Sequence, residues 1–278
     1  RVVHSEDGLE RAFVSAQEEA RAAFGNPELY LERYLEEPRH VEIQVFGDGE
    51  GNVVHFYDRD CSIQRRYQKI LEEAPSLLDP AIRERIAEAA VGLARHINYR
   101  GAGTCEFLVD RQGEFYFSEM NTRIQVEHPV TEMVTSFDLV QEQFRVAAGL
   151  GLSISQADVN VEGHSIEVRV NAEDPDHDFR PSAGVITDLH WPGGPGVRVD
   201  SHVYAGYRIP PTYDSLVAKI IVWAPTRDEA IRRMQRALRE TVIEGVKTTI
   251  PFHLRVLENA FYRRGDVYTN FVPRRMLG

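Results

Sequence analysis

The sequence predicts an α+β fold with largely antiparallel strands, on two observations: amphipathic helical stripes with clear ends, and alternating or apolar runs joined in pairs by short turns. Leu9 to Phe24 carries Leu9, Ala12, Phe13, Ala16, Ala20 and Ala23 at helical spacing, and Gly25 closes it. From Leu29 onward the pattern turns to alternation, and His40, Glu42 and Gln44 interleave with Val41, Ile43 and Val45 as in a half-buried strand. The segment Gly47 to Asn52 joins that strand to Val53–Phe56 as a hairpin; no helix and no Lys-Ser/Thr pair follows its glycines, which argues for a turn over a phosphate loop. Asp79-Pro80 opens a helix to about Ile97, with Ile82, Ile86, Ala90 and Leu93 on one stripe. Strands are expected at Thr104–Val109 and Glu114–Asn121, then a helix over Phe137–Leu150, with a turn at His128-Pro129. A domain boundary falls in the polar stretch Ser153–Gly163. Beyond it lie strands at Ser165–Asn171, Val185–Leu189, Val197–Val203 and Leu216–Val222, a turn at Gly193–Gly196, and helices at Arg227–Thr241 and Pro251–Arg263. No internal repeat or low-complexity tract is visible.

With 278 residues and 42% hydrophobic content, the chain suits one large domain or two smaller ones. Its formal charge of −11 disfavours nucleic acid or an acidic membrane as the main partner, since those need a basic footprint. The two cysteines, Cys61 and Cys105, have no metal-ligand spacing, and a reducing, cytoplasmic compartment fits them. No apolar run reaches the length of a membrane span. Arg1-Val2-Val3 reads as a strand interior, so the chain is expected to begin inside a domain. The histidines at 4, 55, 96, 177, 190, 202 and 253 show no ligand spacing and read as surface or core positions.

The chemistry concentrates between Glu119 and Pro129. In an extended chain Glu119, Asn121, Arg123, Gln125 and Glu127 share one face, with Met120, Ile124 and Val126 on the other. Glu106 on the preceding strand comes opposite Glu119 or one diagonal step away, where like charges repel unless a cation sits between them. Two carboxylates and an amide oxygen suit Mg²⁺, which commonly completes its shell with phosphates. Glu106, Glu119 and Asn121 therefore read as a magnesium–nucleotide site. Arg123, Gln125 and Glu127 add an anion-binding fork, an amide and a carboxylate.

The run Glu119-Met120-Asn121-Thr122-Arg123-Ile124-Gln125-Val126-Glu127-His128-Pro129-Val130-Thr131-Glu132-Met133 resembles the signature of biotin carboxylases within the ATP-grasp superfamily. So do Pro38-Arg39-His40-Val41-Glu42-Ile43-Gln44, Asp60-Cys61-Ser62-Ile63-Gln64-Arg65-Arg66, Gln68-Lys69, Tyr99-Arg100-Gly101-Ala102-Gly103-Thr104 and Asn171-Ala172-Glu173-Asp174-Pro175. The resemblance implies an ATP-grasp fold in three parts: residues 1–34 as the remainder of a lid subdomain, 35–158 as the ATP-grasp catalytic domain, and 159–278 as the biotin carboxylase C-terminal domain. It also implies a two-step reaction, in which ATP phosphorylates bicarbonate to carboxyphosphate and N1′ of biotin captures the released CO₂.

Carried over residue by residue, the resemblance gives Glu106, Glu119 and Asn121 the Mg²⁺ or Mn²⁺ bridging the ATP phosphates. Lys69, Arg123, Gln125 and the Val126 backbone would bind bicarbonate, Glu127 would be the base, and Arg169 would stabilise the biotin enolate. Glu32, Arg33 and Leu35 match the hinge at the nucleotide base; His40, Gln64 and Leu108 match positions lining ATP. Arg33 stands where lysine is more familiar, and Tyr67 where many members have histidine. Read without the family, Tyr67 is a partly buried strand aromatic. Asp214 supports Arg169 or an interface, or caps a turn. The family's N-terminal domain, glycine-rich lid and upstream lysines have no counterpart in the chain, and no biotin-attachment motif appears. The implied partners are a biotin carboxyl carrier protein or domain, carboxyltransferase subunits and a second copy of the chain as a homodimer. Acetyl-CoA, propionyl-CoA and pyruvate all remain open as final acceptors. The alternatives are another ATP-grasp ligase, such as a carbamoyl-phosphate synthetase half, or a non-catalytic interaction fragment.

Overall fold

The structure, a computed structural model, describes residues 1–277 and divides into two units, Arg1–Glu36 and the remainder from Glu37. In the first unit, helix α1 (Leu9–Phe24) ends as its sequence requires: Gly25 takes the left-handed conformation at φ 72° and its N–H bonds the Arg21 carbonyl. Arg1–Val3 form no strand, contrary to expectation. The alternation that begins at Leu29 likewise produces no strand before Arg39.

The second unit is built on one antiparallel sheet of eight strands: β1 (Arg39–Asp48), β2 (Val53–Arg65), β3 (Gln68–Ala74), β4 (Arg100–Val109), β5 (Phe115–Asn121), β6 (His164–Asn171), β7 (Val197–Ser201) and β8 (Leu216–Ala224). Their order is β7-β8-β6-β3-β2-β1-β4-β5. Residues on both sides of the polar 153–163 stretch thus share a sheet, because β3 pairs with β6. The β1–β2 hairpin forms where the glycine cluster predicted it. Gly47 is needed there, since a Cβ would lie 2.1 Å from the Tyr99 carbonyl oxygen.

Helix α2 (Pro80–His96) is capped by Asp79, whose carboxylate accepts the Ala81 N–H, and it buries Ile86, Ala87, Ala90 and Ala94. That stripe packs on Val41, Ile43, Val45, Cys105 and Val109 of the sheet. At the other end, α5 (Arg227–Glu240) and α6 (Ile250–Glu258) cover β6 and β8, giving a core of Ile166, Val168, Ile220, Val222, Ile231, Met234, Phe252 and Val256.

Several expectations need correction. His128-Pro129 opens a helix, α3 (His128–Thr135), because proline is tolerated in a first helical turn. The helix expected over 137–150 is shorter, α4 (Leu139–Ala147), with Asp138 capping it through the Gln141 N–H. The expected 251–263 helix is interrupted: Asn259 accepts from Phe261 and Tyr262 N–H groups and starts α7 (Ala260–Arg264). Strand β3 carries Gln68, Lys69, Glu72 and Glu73 and has no clean alternation, so it escaped the sequence reading.

His164, on β6, also drew no attention in the sequence. It meets Glu73 at 2.7 Å, and Arg227 binds the same carboxylate at 2.6 and 3.1 Å, tying β3, β6 and α5 together. Burial works against the Glu73 charge, but Arg227 and His164 outweigh it and hold the pKa at about 2 against an ordinary 4.5. A folded-state pKa below the unfolded one gives stability that is complete above the unfolded value and lost as pH falls towards 2. The contribution at neutral pH is ~3 kcal/mol. Urea titrations of the full-length protein between neutral pH and the acid limb should show Glu73→Gln losing less stability on acidification than the native sequence; equal losses would count against this ion pair as the acid-sensitive element.

Candidate active site

Strand register sets four charged residues in one row across the sheet: Arg59 on β2 faces Glu42 on β1, Glu42 faces Glu106 on β4, and Glu106 faces Glu119 on β5. The expected juxtaposition of Glu106 and Glu119 is therefore direct. The extended face expected from Glu119 to Glu127 stops at Asn121, where β5 ends. Arg123, Gln125 and Glu127 instead reach the row through a turn leading into α3, whose N-cap is Glu127. A cavity of about 610 Å³ lies over this row, with His40, Gln64, Lys69, Glu106, Glu119, Asn121, Arg123, Gln125, Val126, Glu127 and Arg169 all in its wall.

Lys69 is the hub of the anions. Its ammonium donates to Glu42 at 2.5 Å, Glu127 at 2.7 Å and Glu106 at 2.8 Å. Burial opposes its charge, but Glu42, Glu127 and Glu106 outweigh this and raise its pKa. The same exchange acts in reverse on Glu106: burial raises its pKa, while the His40 hydrogen bond and Lys69 pull it down to about 2. Gln125 Nε2 and Asn121 Nδ2 also donate to Glu106, at 2.8 and 3.0 Å, and Asn121 Nδ2 donates to Glu119 at 3.2 Å. His40 lies 3.0 Å from Glu106 through Nε2 and shares Nδ1 with Gln64.

Glu127, almost wholly buried, is the meeting point of two cations. Lys69 binds its Oε1, and Arg169 Nη2 binds its Oε2 at 3.0 Å. Arg169 is fixed from behind by Glu72, which accepts from Nε at 2.6 Å. Burial pushes the Glu72 carboxyl up to about 7 even with Arg169 against it. The Arg169 carbonyl is held by His253 Nε2 at 2.8 Å and Thr249 Oγ1 at 3.1 Å. Burial, only partly offset by that bond, lowers the His253 pKa to about 4, and its Nδ1 has no partner among the described residues.

Arg123 is exposed at the cavity rim, donating to Asn121 Oδ1 and the Ile124 carbonyl. Leu108 stands on β4 opposite His40 and two residues from Glu106, half-buried. Tyr67 is no strand aromatic: it is 97% exposed, in a left-handed turn at φ 65° between β2 and β3. Asp214 accepts the Leu216 N–H, which is the turn-capping role. Glu32 and Arg33 are exposed and Leu35 half-buried, all in the irregular end of the first unit.

The sequence reading missed Glu42, Arg59, Glu72, Glu167 and Lys219. Lys219 donates to the Val126 carbonyl at 2.7 Å and so fixes the turn that carries Val126 and Glu127. For Glu167 and Lys219 the signal available was the charge itself, within strands otherwise apolar enough to be interior; Glu42, Arg59 and Glu72 sit among other polar residues and gave no such signal.

Two family models account for nearly the whole chain. The carbamoyl-phosphate synthase L chain ATP-binding domain matches residues 1–155, and the biotin carboxylase C-terminal domain matches residues 167–274. The chain belongs to the biotin carboxylase family. A biotin carboxylase from Nostoc sp. is 59% identical over 98% of the chain, and the chain spans 61% of that relative's length. Among solved structures, the biotin carboxylase domain of a thermophilic 2-oxoglutarate carboxylase bound to bicarbonate superimposes with a TM-score of 0.96 at 50% identity, over 98% of this chain and 62% of that one. The corresponding Hydrogenobacter thermophilus domain dimer, in complex with MgADP, ADP and bicarbonate, gives a TM-score of 0.91 at 50% identity, over 98% and 60% of the two chains. In biotin carboxylase terms the fold is the ATP-grasp and C-terminal pair, and no described helix is long and apolar enough to cross a membrane.

Proposed function

We propose that the full-length protein carboxylates biotin on a carrier, using ATP and bicarbonate. The observation that carries this reading is Glu127 pinned between Lys69 and Arg169 at the cavity wall beside Gln125: a base with two cations converging on the space a small anion would fill. Lys69, Arg123, Gln125 and the Val126 N–H hold bicarbonate. Glu127 takes its proton, so that a bicarbonate oxygen attacks the γ-phosphoryl group of ATP and ADP leaves. Carboxyphosphate then breaks down to CO₂ and phosphate, phosphate removes the N1′ proton of biotin, and N1′ attacks CO₂ while Arg169 neutralises the enolate oxygen. Arg169 suits this role because Glu72 clamps Nε and Glu127 holds Nη2, which fixes the guanidinium at the cavity wall.

Glu106, Glu119 and Asn121 fit a magnesium or manganese ion: two carboxylates stand directly opposite, and the Asn121 amide, turned over, offers them an oxygen neighbour. The ion supplies charge neutralisation at the nucleotide phosphates. In the second unit His40, Gln64 and Leu108 lie along the nucleotide, with Tyr67 at the rim; Glu32, Arg33 and Leu35 of the first unit keep the hinge role that the family resemblance gives them. Glu119→Gln should raise the Mg²⁺ needed for half-maximal ATP cleavage by roughly 10- to 100-fold; an unchanged metal requirement would remove Glu119 from the set.

The division at residue 158 is supported by the break between the two matched family models, and the division at residue 34 by the end of the first compact unit at Glu36. The partners on this reading are a biotin carboxyl carrier, carboxyltransferase subunits that choose the final acceptor, and a second copy of the chain, supported by the dimeric relative. Two free buried cysteines accord with the cytoplasm. The deciding experiment is bicarbonate-dependent ATP hydrolysis by the full-length protein with and without free biotin. Stimulation by biotin is expected; its absence would favour another ATP-grasp ligase.

A further inference from the structure

Beneath the site lies a pair of acids of which only Glu72 enters the steps above, through its clamp on Arg169. Glu72 on β3 and Glu167 on β6 are direct cross-strand partners, and both are wholly buried. Partners so placed have Cβ atoms about 5 Å apart on the same face of the sheet. On the far side of Glu167 the register places Ile221, and α3 roofs this face with Val130 and Val134 packed on Ile221 and Ala74. Both Glu167 oxygens and Glu72 Oε2 lack any partner among the described residues, while Glu72 Oε1 is committed to Arg169. Two carboxylates facing each other in such a space would leave three buried acceptors empty and two like charges unseparated, both of which oppose folding. One proton between them removes the like charge and gives Glu72 Oε2 a donor, and only the carbonyl oxygen of a neutral acid then stays without a partner.

We propose that Glu167 is a neutral carboxylic acid whose O–H donates to Glu72 Oε2, and that this acid–carboxylate pair is the positioning device that holds the Arg169 guanidinium against Glu127. The charged groups around the pair agree with that assignment. Arg169 follows two residues after Glu167 on β6 and grips Glu72, so the proton resides on the glutamate that lacks an arginine. Lys219 of β8 stands opposite Arg169, one diagonal step from Glu167, but its ammonium is committed to the Val126 carbonyl and Asp200. Lys69 of β3 is engaged by Glu42, Glu106 and Glu127. From α3, Glu127 faces Arg169 and Lys69, and His128 turns to the Gln125 carbonyl. Burial, with the Glu72 carboxyl next in weight, pushes the Glu167 carboxyl well above the ordinary range.

The consequence is geometric. With Glu167 donating, Glu72 stays a carboxylate with one oxygen reserved for Arg169 Nε. Without a donor there, Glu72 turns to satisfy its second oxygen and Arg169 loses its backing.

The inference rests on the biotin-carboxylating reading, and its test separates the two. Infrared difference spectra of the full-length protein labelled with ¹³C-glutamate, at mildly alkaline pH, should contain the carbonyl stretch of a neutral carboxylic acid that Glu167→Gln removes. Glu167→Leu, which has no donor, should lower biotin-dependent turnover about 100-fold while bicarbonate-dependent ATP cleavage without biotin persists. Glu167→Gln, whose amide N–H replaces the acid, should recover most of the loss. Absence of the neutral-acid band from the native protein, or equal turnover defects in the leucine and glutamine variants, would overturn the proposal. If Glu167→Leu does not fold, the infrared band and the Glu167→Gln turnover still decide it. Failure of the carboxylase reading would show separately, as native protein that biotin does not stimulate.

Discussion

Replacing Glu127 with glutamine in the full-length protein is expected to lower bicarbonate-dependent ATP cleavage by about 10²- to 10⁴-fold, the range that a positioned general base contributes. The substitution keeps the shape of the side chain and can keep a hydrogen bond to Lys69 or Arg169, so the fold and the nucleotide site should survive. It removes the group that accepts the proton and exchanges one buried carboxylate for a neutral amide. Glu42 and Glu106 remain on Lys69, and Glu72 remains on Arg169, so neither cation is stranded. The measurement is steady-state ADP release at saturating bicarbonate, together with ADP affinity by equilibrium titration. A loss of turnover with ADP affinity retained fits the base; turnover within a few fold of native would take Glu127 out of the chemistry.

Arg59→Met is expected to cost about 3–5 kcal/mol of unfolding free energy, the usual penalty for breaking a buried ion pair from one side. Arg59 is 0% exposed, and each of its five N–H groups has a partner: Glu42 at 2.6 Å, Gln44 at 2.8 Å, Thr131 at 3.0 Å, Gln125 at 3.1 Å and Thr104 at 3.2 Å. Methionine fills a similar volume but leaves Glu42 with Lys69 as its main counter-charge, and takes the donor from four further acceptors. Burial raises the Glu42 pKa, and Arg59 and then Lys69 overcome this to hold it at about 2. Adding Glu42→Gln to Arg59→Met should therefore return part of the stability, because the uncompensated charge is then gone. Urea unfolding of the native, single and double variants measures this coupling; strictly additive losses would show that the two side chains do not depend on each other. Arg59 also accounts for the amide orientation of Gln125: with Oε1 taken by the guanidinium, Nε2 points at Glu106.

Elements with strong local signals were legible from the chain. Gly25, Asp79-Pro80 and the left-handed Gly49 and Gly51 have conformational demands that no distant contact needs to supply, and α1, α2 and the first hairpin appear where these residues put them. The site was legible where it lies along one stretch of chain, from Glu106 through Glu119 to Glu127. Reading that stretch as one extended face failed beyond Asn121, because alternation of polar and apolar residues also describes a turn whose polar groups are buried for bonding. Gln125 and Glu127 are as interior as core residues and reach the same cavity by another route.

The sequence by itself determined the sheet strands other than β3, the capped helices α1 and α2, and the charged residues of the 119–129 run, since each depends on neighbours a few positions away. Only the tertiary structure decided which charges meet. Arg59, Glu42, Glu106 and Glu119 form a row because four strands align in register, and Lys69 and Arg169 converge on Glu127 because β3 and β6 are sheet neighbours, although 100 positions separate the two cations. Buried charges are stable only when paired. The pairing partners are set by sheet order, which no local pattern in the chain encodes.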